Sequence, residues 1–113
     1  MSEIKIFKYY AGNKWHEPSS GKYFESEDPS IGKVWAKLPN CNLDDINIAV
    51  KSAKNAYYDG PWGKMHPAER GRILQRIGDV ISKNAEKIGN VETKDNGKLP
   101  KNITPSLTSW QTE

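Results

Sequence analysis

The spacing of apolar residues divides the chain near Pro39. Before it, short runs alternate with period two and turn residues separate them. After it, apolar residues recur every three or four positions. In "KIFKYYAGNKW" the Gly12–Asn13 pair breaks two β-prone runs, and either residue tolerates positive φ, so a tight hairpin is expected. "PSSG" (18–21) is a second turn. "KYFESE" follows as a strand, with Tyr23, Glu25 and Glu27 on one face and Phe24 and Ser26 on the other. "DPSIG" (28–32) is a third turn, in which Pro29 presets φ and Gly32 accepts a left-handed conformation. "KVWAKL" alternates again, placing Val34, Ala36 and Leu38 opposite Trp35.

Beyond Pro39 the pattern is helical. Asn42 suits an N-cap, and Asp44 and Asp45 suit the positive end of a helix dipole. Ile46, Ala49, Val50, Ala53 and Tyr57 form one stripe, stopped by Gly60 and Pro61. In "GPWGKM" Trp62 is expected to plug a seam between elements. Pro67 opens a second helix with Glu69 in its first turn and Ile73, Leu74, Ile77, Val80 and Ile81 as its stripe. Asn84 caps a third, "AEKIGNVETKDN", with Ile88 and Val91 inward and Gly97 as its αL terminator. Thr104–Pro105 reads as a further helix start, with Leu107 and Trp110 on one face; the expectation is a helix cut short.

Taken alone, then, the chain is expected to be α+β: N-terminal β-hairpins followed by two or three helices. Residues 1–40 read as a hairpin arm, 41–98 as a helical part and 99–113 as the start of a further helix. At 113 residues and 35% hydrophobic content the core should be thin. Part of the apolar surface is expected to serve a partner or further chain.

A net charge of +3, with basic and acidic residues interleaved, is too mild to imply nucleic acid. No apolar run approaches the ~18 residues of a membrane span. The start, "MSEIKIFKYY", lacks the apolar core of a secretory signal. A single cysteine, Cys41, excludes an internal disulfide and fits a reducing compartment, so a cytoplasmic protein is expected. Cys41 stands just before a helix N-terminus, but nothing else around it suggests catalysis. His16 and His66 have no partners at metal-ligand spacing. "GPWG" lacks the strand-to-helix context of a nucleotide loop. "NIT" (102–104), a glycosylation tripeptide, is read as chance without a signal peptide.

The motifs "YYAGNKW", "EDPSIGKVWAKLP", "NLDDINIAVKSAKNAYYDGPW", "PAERGRIL" and "ETKDNGK" occur in that order. The series resembles the beginning of the aldehyde dehydrogenase superfamily, over about residues 6 to 101. The departure is the polar tail "NITPSLTSWQTE". The resemblance implies an N-terminal portion of an α/β enzyme with a Rossmann-type cofactor domain. It implies NAD or NADP as cofactor of the parent, oxidation of an aldehyde to a carboxylic acid, and a homo-oligomer. Family members use a cysteine thiolate, a glutamate and an asparagine that match no position here. This chain is therefore expected to hold no catalytic or cofactor-binding residues, to bind no cofactor and to be inactive alone. Many relatives hold a monovalent cation through backbone carbonyls just before the "NP" turn; the matching residues are Ser26 and Glu27. The alternative is a self-standing α+β module that grips a protein partner with exposed Trp and Tyr.

Overall fold

A computed structural model describes residues 3–99. The helix start at Thr104–Pro105, Leu107, Trp110 and the "NIT" tripeptide lie outside those residues. The described elements run β1 (Lys5–Ile6), β2 (Tyr9–Ala11), β3 (Lys14–His16), β4 (Tyr23–Asp28), β5 (Lys33–Pro39), α1 (Leu43–Tyr58), a single 3-10 turn (Trp62–Lys64), α2 (Pro67–Lys83) and α3 (Ala85–Asn96). The chain is α+β, as its periodicity implies. The described residues divide into two compact units: 3–26 with 34–66, and 27–33 with 67–99.

In the first unit, β2 and β3 form the expected antiparallel hairpin, in the register Tyr9–His16, Tyr10–Trp15 and Ala11–Lys14. Gly12 and Asn13 both take positive φ, 57° and 61°, as a two-residue turn matching strand twist requires. Sequence periodicity did not foresee β1. It breaks away from the hairpin and pairs parallel with β5, Lys5 opposite Ala36 and Ile6 opposite Lys37. Phe7 continues the ladder by donating to the Lys37 carbonyl and meets Trp35 edge to face. The sheet order is β1-β5-β4, which buries Ala36 in the central strand.

α1 begins at Asn42 with a capping box. The Asn42 side chain accepts from the amides of Asp44 and Asp45, and the Asp45 carboxylate accepts from the Asn42 amide. The helix packs on β2 with only Ala49 of its apolar stripe turned inward. The face turned inward carries Asp45, Ala49 and Ser52, and Ile46, Val50, Ala53 and Tyr57 are exposed. Backbone proximity explains the choice. A Cβ on Gly12 would lie 3.2 Å from Ser52 Oγ, so only small residues fit where the hairpin turn crosses the helix. The 3-10 turn holds Trp62 half-buried, directly after α1.

In the second unit, α2 runs into α3 at Asn84. Asn84 occupies the cap position of α3 with its backbone carbonyl, but its side chain serves the preceding helix, donating from Nδ2 to the Val80 carbonyl at 2.8 Å. α3 ends on Gly97 in the αL conformation (φ 75°), with the Gly97 amide bonded to the Thr93 carbonyl. The 28–32 turn is closed by Gly32 and Ile31 amides on the Asp28 carbonyl and by the Asp28 carboxylate, which accepts from the Ser30 amide and hydroxyl. Gly97 needs its missing side chain twice over: for its φ, and because a Cβ would sit 2.9 Å from Pro29 Cγ. Gly97→Ala is expected to cost about 1–2 kcal/mol locally, read as faster amide exchange through the last turn of α3. Unchanged protection at the Gly97 amide position would contradict this.

Candidate functional site

Among the described residues the apolar core is reduced to Ala11 and Ala36, and nineteen large hydrophobic side chains are exposed. The largest fully buried side chain is polar: Asp45, 2% exposed. Its carboxylate gathers three segments. Oδ1 accepts from the Tyr9 hydroxyl at 3.1 Å and the Ser19 amide at 3.0 Å. Oδ2 accepts from the Asn42 amide at 3.0 Å. The Ser19 hydroxyl donates to Asn42 Oδ1, also at 3.0 Å. One carboxylate and one carboxamide thus tie β2, the 18–21 turn and the start of α1 together. Burial pushes the Asp45 carboxyl up, but the donors from Asn42, Ser19 and Tyr9 prevail and hold it below the usual carboxylate range. The sequence offered one signal for this knot, the Asn-x-x-Asp spacing of a capping box. Nothing local to Tyr9 or Ser19 marks them as its partners.

Around the knot, Tyr9 stacks on His16, whose Nε2 donates to the Ala11 carbonyl at 3.0 Å. Burial, and then the Tyr9 contact with Asp45, raise the Tyr9 hydroxyl. Burial likewise raises the Cys41 thiol, and the Asp45 charge adds to it. That is the opposite of an activated nucleophile. Cys41 is expected to alkylate several-fold more slowly with iodoacetamide at pH 8 than a short unstructured peptide containing it, and Asp45→Asn to narrow the gap. Equal rates in peptide and protein would refute the burial argument.

No group of three or more His, Cys, Asp or Glu side chains is placed to hold a metal among the described residues. Ser26, half-buried, and Glu27, exposed, lie near the end of β4, an edge strand. No helix among the described residues is long and apolar enough to cross a membrane.

The remaining feature is apolar surface. On α2, Leu74, Ile77, Val80 and Ile81 stand exposed at helical spacing, and Ile88 and Val91 of α3 extend the surface. Val80, Ile81, Asn84, Lys87, Ile88 and Val91 line a groove of about 400 Å³.

A sequence model of the aldehyde dehydrogenase family matches residues 15–109. The chain belongs to that family. It is 44% identical over 82 residues to aldehyde dehydrogenase family 2 member B4, mitochondrial, of Arabidopsis thaliana, covering 73% of this chain and 15% of that one. It is 35% identical over 97 residues to the human mitochondrial aldehyde dehydrogenase, covering 85% of this chain and 19% of the other. Among solved structures, the aldehyde dehydrogenase of Bacillus cereus in complex with NAD+ superposes with a TM-score of 0.87 at 28% identity. The match takes in 92% of this chain and 21% of that enzyme. This aldehyde dehydrogenase segment therefore spans about a fifth of the length of such relatives, with the same backbone path.

Proposed function

We propose that this chain supplies the N-terminal scaffold of an NAD(P)-dependent aldehyde dehydrogenase that oxidises an aldehyde to a carboxylic acid. The observation that carries the reading is a backbone closely matching part of the NAD+-bound Bacillus cereus enzyme, joined to helices whose apolar stripes face outward. Residues 1–40 act as the hairpin arm and 41–98 as the helical part of the cofactor-binding domain. The chain's own contribution is positional. It brings neither nucleophile nor cofactor loop, and the raised Cys41 thiol supports that assignment. The nicotinamide, when bound by the complete enzyme, accepts the hydride. The complete enzyme is a homo-oligomer, and the lone cysteine supports a reducing, cytoplasmic setting.

A monovalent cation held through the Ser26 and Glu27 carbonyls belongs to the same proposal. Successive carbonyls of a strand point to opposite edges, so one of the two points away from β5. The remaining oxygen ligands have to come from elsewhere in the enzyme.

The test is a chimera. Residues 1–99 replace the matching segment of the Bacillus cereus enzyme, and reduced nicotinamide is followed by absorbance. The chimera is expected to oxidise aldehydes with NAD or NADP, and the 113-residue chain alone to stay at the blank rate. A well-folded chimera without activity, or clear turnover by the purified chain alone, would defeat the proposal.

A further inference from the structure

We propose that Asn96 is a self-modifying site. Its side chain closes on the Gly97 nitrogen and converts to isoaspartate, at a rate set by how often the last turn of α3 opens.

Asn96 alone among the asparagines of this sequence is followed by glycine. Glycine has no Cβ to obstruct the approach of its nitrogen to the preceding side chain. The Gly97 nitrogen gives up its proton to solvent and attacks Cγ of Asn96. A five-membered succinimide forms as the Cγ–Nδ2 bond breaks, and the side-chain nitrogen takes up a proton and leaves as ammonia. Water then opens the ring. Opening at the backbone carbonyl leaves the chain running through the side-chain carbons as isoaspartate; opening at Cγ leaves aspartate. In net terms water is consumed and ammonia released, with no change of oxidation state. Asn96 and Gly97 are both exposed, so water reaches both steps.

The folded helix end holds both reacting groups. The Gly97 amide donates to the Thr93 carbonyl at 2.9 Å. The Asn96 carboxamide is fixed at both atoms: Oδ1 accepts from the Lys98 amide at 2.9 Å, and Nδ2 donates to Glu92 Oε1 at 3.3 Å. Lys98 Nζ meets the same Oε1 at 3.0 Å. The Lys98 ammonium holds the Glu92 carboxyl below its usual range, so Glu92 remains an acceptor at the neutral and alkaline pH where the reaction runs. The proton that has to leave is the one given to Thr93, and the carboxamide that has to swing is the one bonded to Glu92. Attack therefore waits for the turn to open.

The product cannot rebuild the stop. Isoaspartate adds a methylene to the backbone just before Gly97, whose φ of 75° ends the helix. A Cβ on Gly97 would already lie 2.9 Å from Pro29 Cγ, so the turn has no room for a displaced backbone. The new carboxylate also replaces an amide donor beside Glu92, at the negative end of the helix dipole. Conversion is thus a one-way release of the end of α3.

The experiment incubates the 113-residue chain at mildly alkaline pH. Asn96 is followed by peptide mass spectrometry, through the amide-to-acid mass gain and the separate elution of the isoaspartyl isomer. A peptide of residues 91–101 is the open reference. The chain is expected to convert at Asn96 ahead of every other asparagine, and at least about tenfold more slowly than the peptide, because it reacts only when open. Glu92→Met keeps the helix propensity and removes both bonds to Oε1. It is expected to speed conversion of the chain about three- to tenfold and to leave the peptide's rate unchanged. Exchange of the Gly97 amide should rise by the same factor, since one opening exposes both groups. The proposal is overturned by a chain that converts at the peptide's rate, by a chain still unconverted long after the peptide is spent, or by conversion led by another asparagine. It is equally overturned if Glu92→Met quickens Gly97 exchange without quickening conversion, or quickens neither. A Gly97 amide as protected in the isoaspartyl chain as in the unmodified one would defeat the release.

Discussion

Heated by itself, the 113-residue chain is expected to lose structure gradually over tens of degrees, and before heating to bind the dye ANS strongly. Ordering a chain of about 100 residues costs on the order of 100 kcal/mol or more in conformational entropy, which apolar burial has to offset. Here the buried apolar residues among those described are Ala11 and Ala36, and whole stripes of Ile, Leu and Val remain in water. A cooperative domain of this length absorbs about 60–80 kcal/mol at its midpoint. The calorimetric enthalpy of this chain is expected to fall far below that, with no sharp peak. A single sharp transition of full enthalpy, with little dye binding, would show that the chain completes its own core. It would favour a self-standing module over a scaffold awaiting the rest of an enzyme.

The second large effect concerns Asp45, and its readout is local because the global melt is expected to be broad. Asp45→Ala is expected to accelerate exchange of the Ser19 and Asn42 amides roughly 10- to 100-fold, since both lose their acceptor. Asp44→Ala, beside it and exposed, should leave Ser19 unchanged. Acid should reproduce the Asp45→Ala effect. Burial opposes ionisation of Asp45, yet its hydrogen bonds keep the folded value below the unfolded one of about 3.9. Its contribution is therefore fully present above about pH 4 and is lost as pH falls through the lower, folded value. Asp28, held low by Ser30, and Glu92, held low by Lys98, add to the acid sensitivity of the other unit. The Ser19 amide isolates the Asp45 share. If its protection is the same at pH 7 and at strongly acid pH, or survives Asp45→Ala, the carboxylate is not what ties the three segments.

What the sequence determined by itself is what forms within four or five residues. The Gly12–Asn13 hairpin turn, the Asn42 cap, the Asp28–Gly32 turn, the helix spans and the αL stop at Gly97 all stand where residue type placed them. In each, the decisive hydrogen bond or φ angle belongs to near neighbours, so local chemistry suffices. The ordered motifs carried the family as well. Tertiary structure alone decided three things. β1 left its neighbour β2 for the distant β5. α1 turned Asp45 and Ser52 inward beside Ala49 and left the rest of its apolar stripe exposed. Asp45, legible as a helix-start acid, became the buried acceptor for Tyr9 and Ser19. Apolar periodicity shows which face of a helix seeks burial, but not which neighbour is near enough to provide it. Where the hairpin turn crosses α1, the approach is so close that small residues hold the contact, and Ile46, Val50, Ala53 and Tyr57 stay exposed.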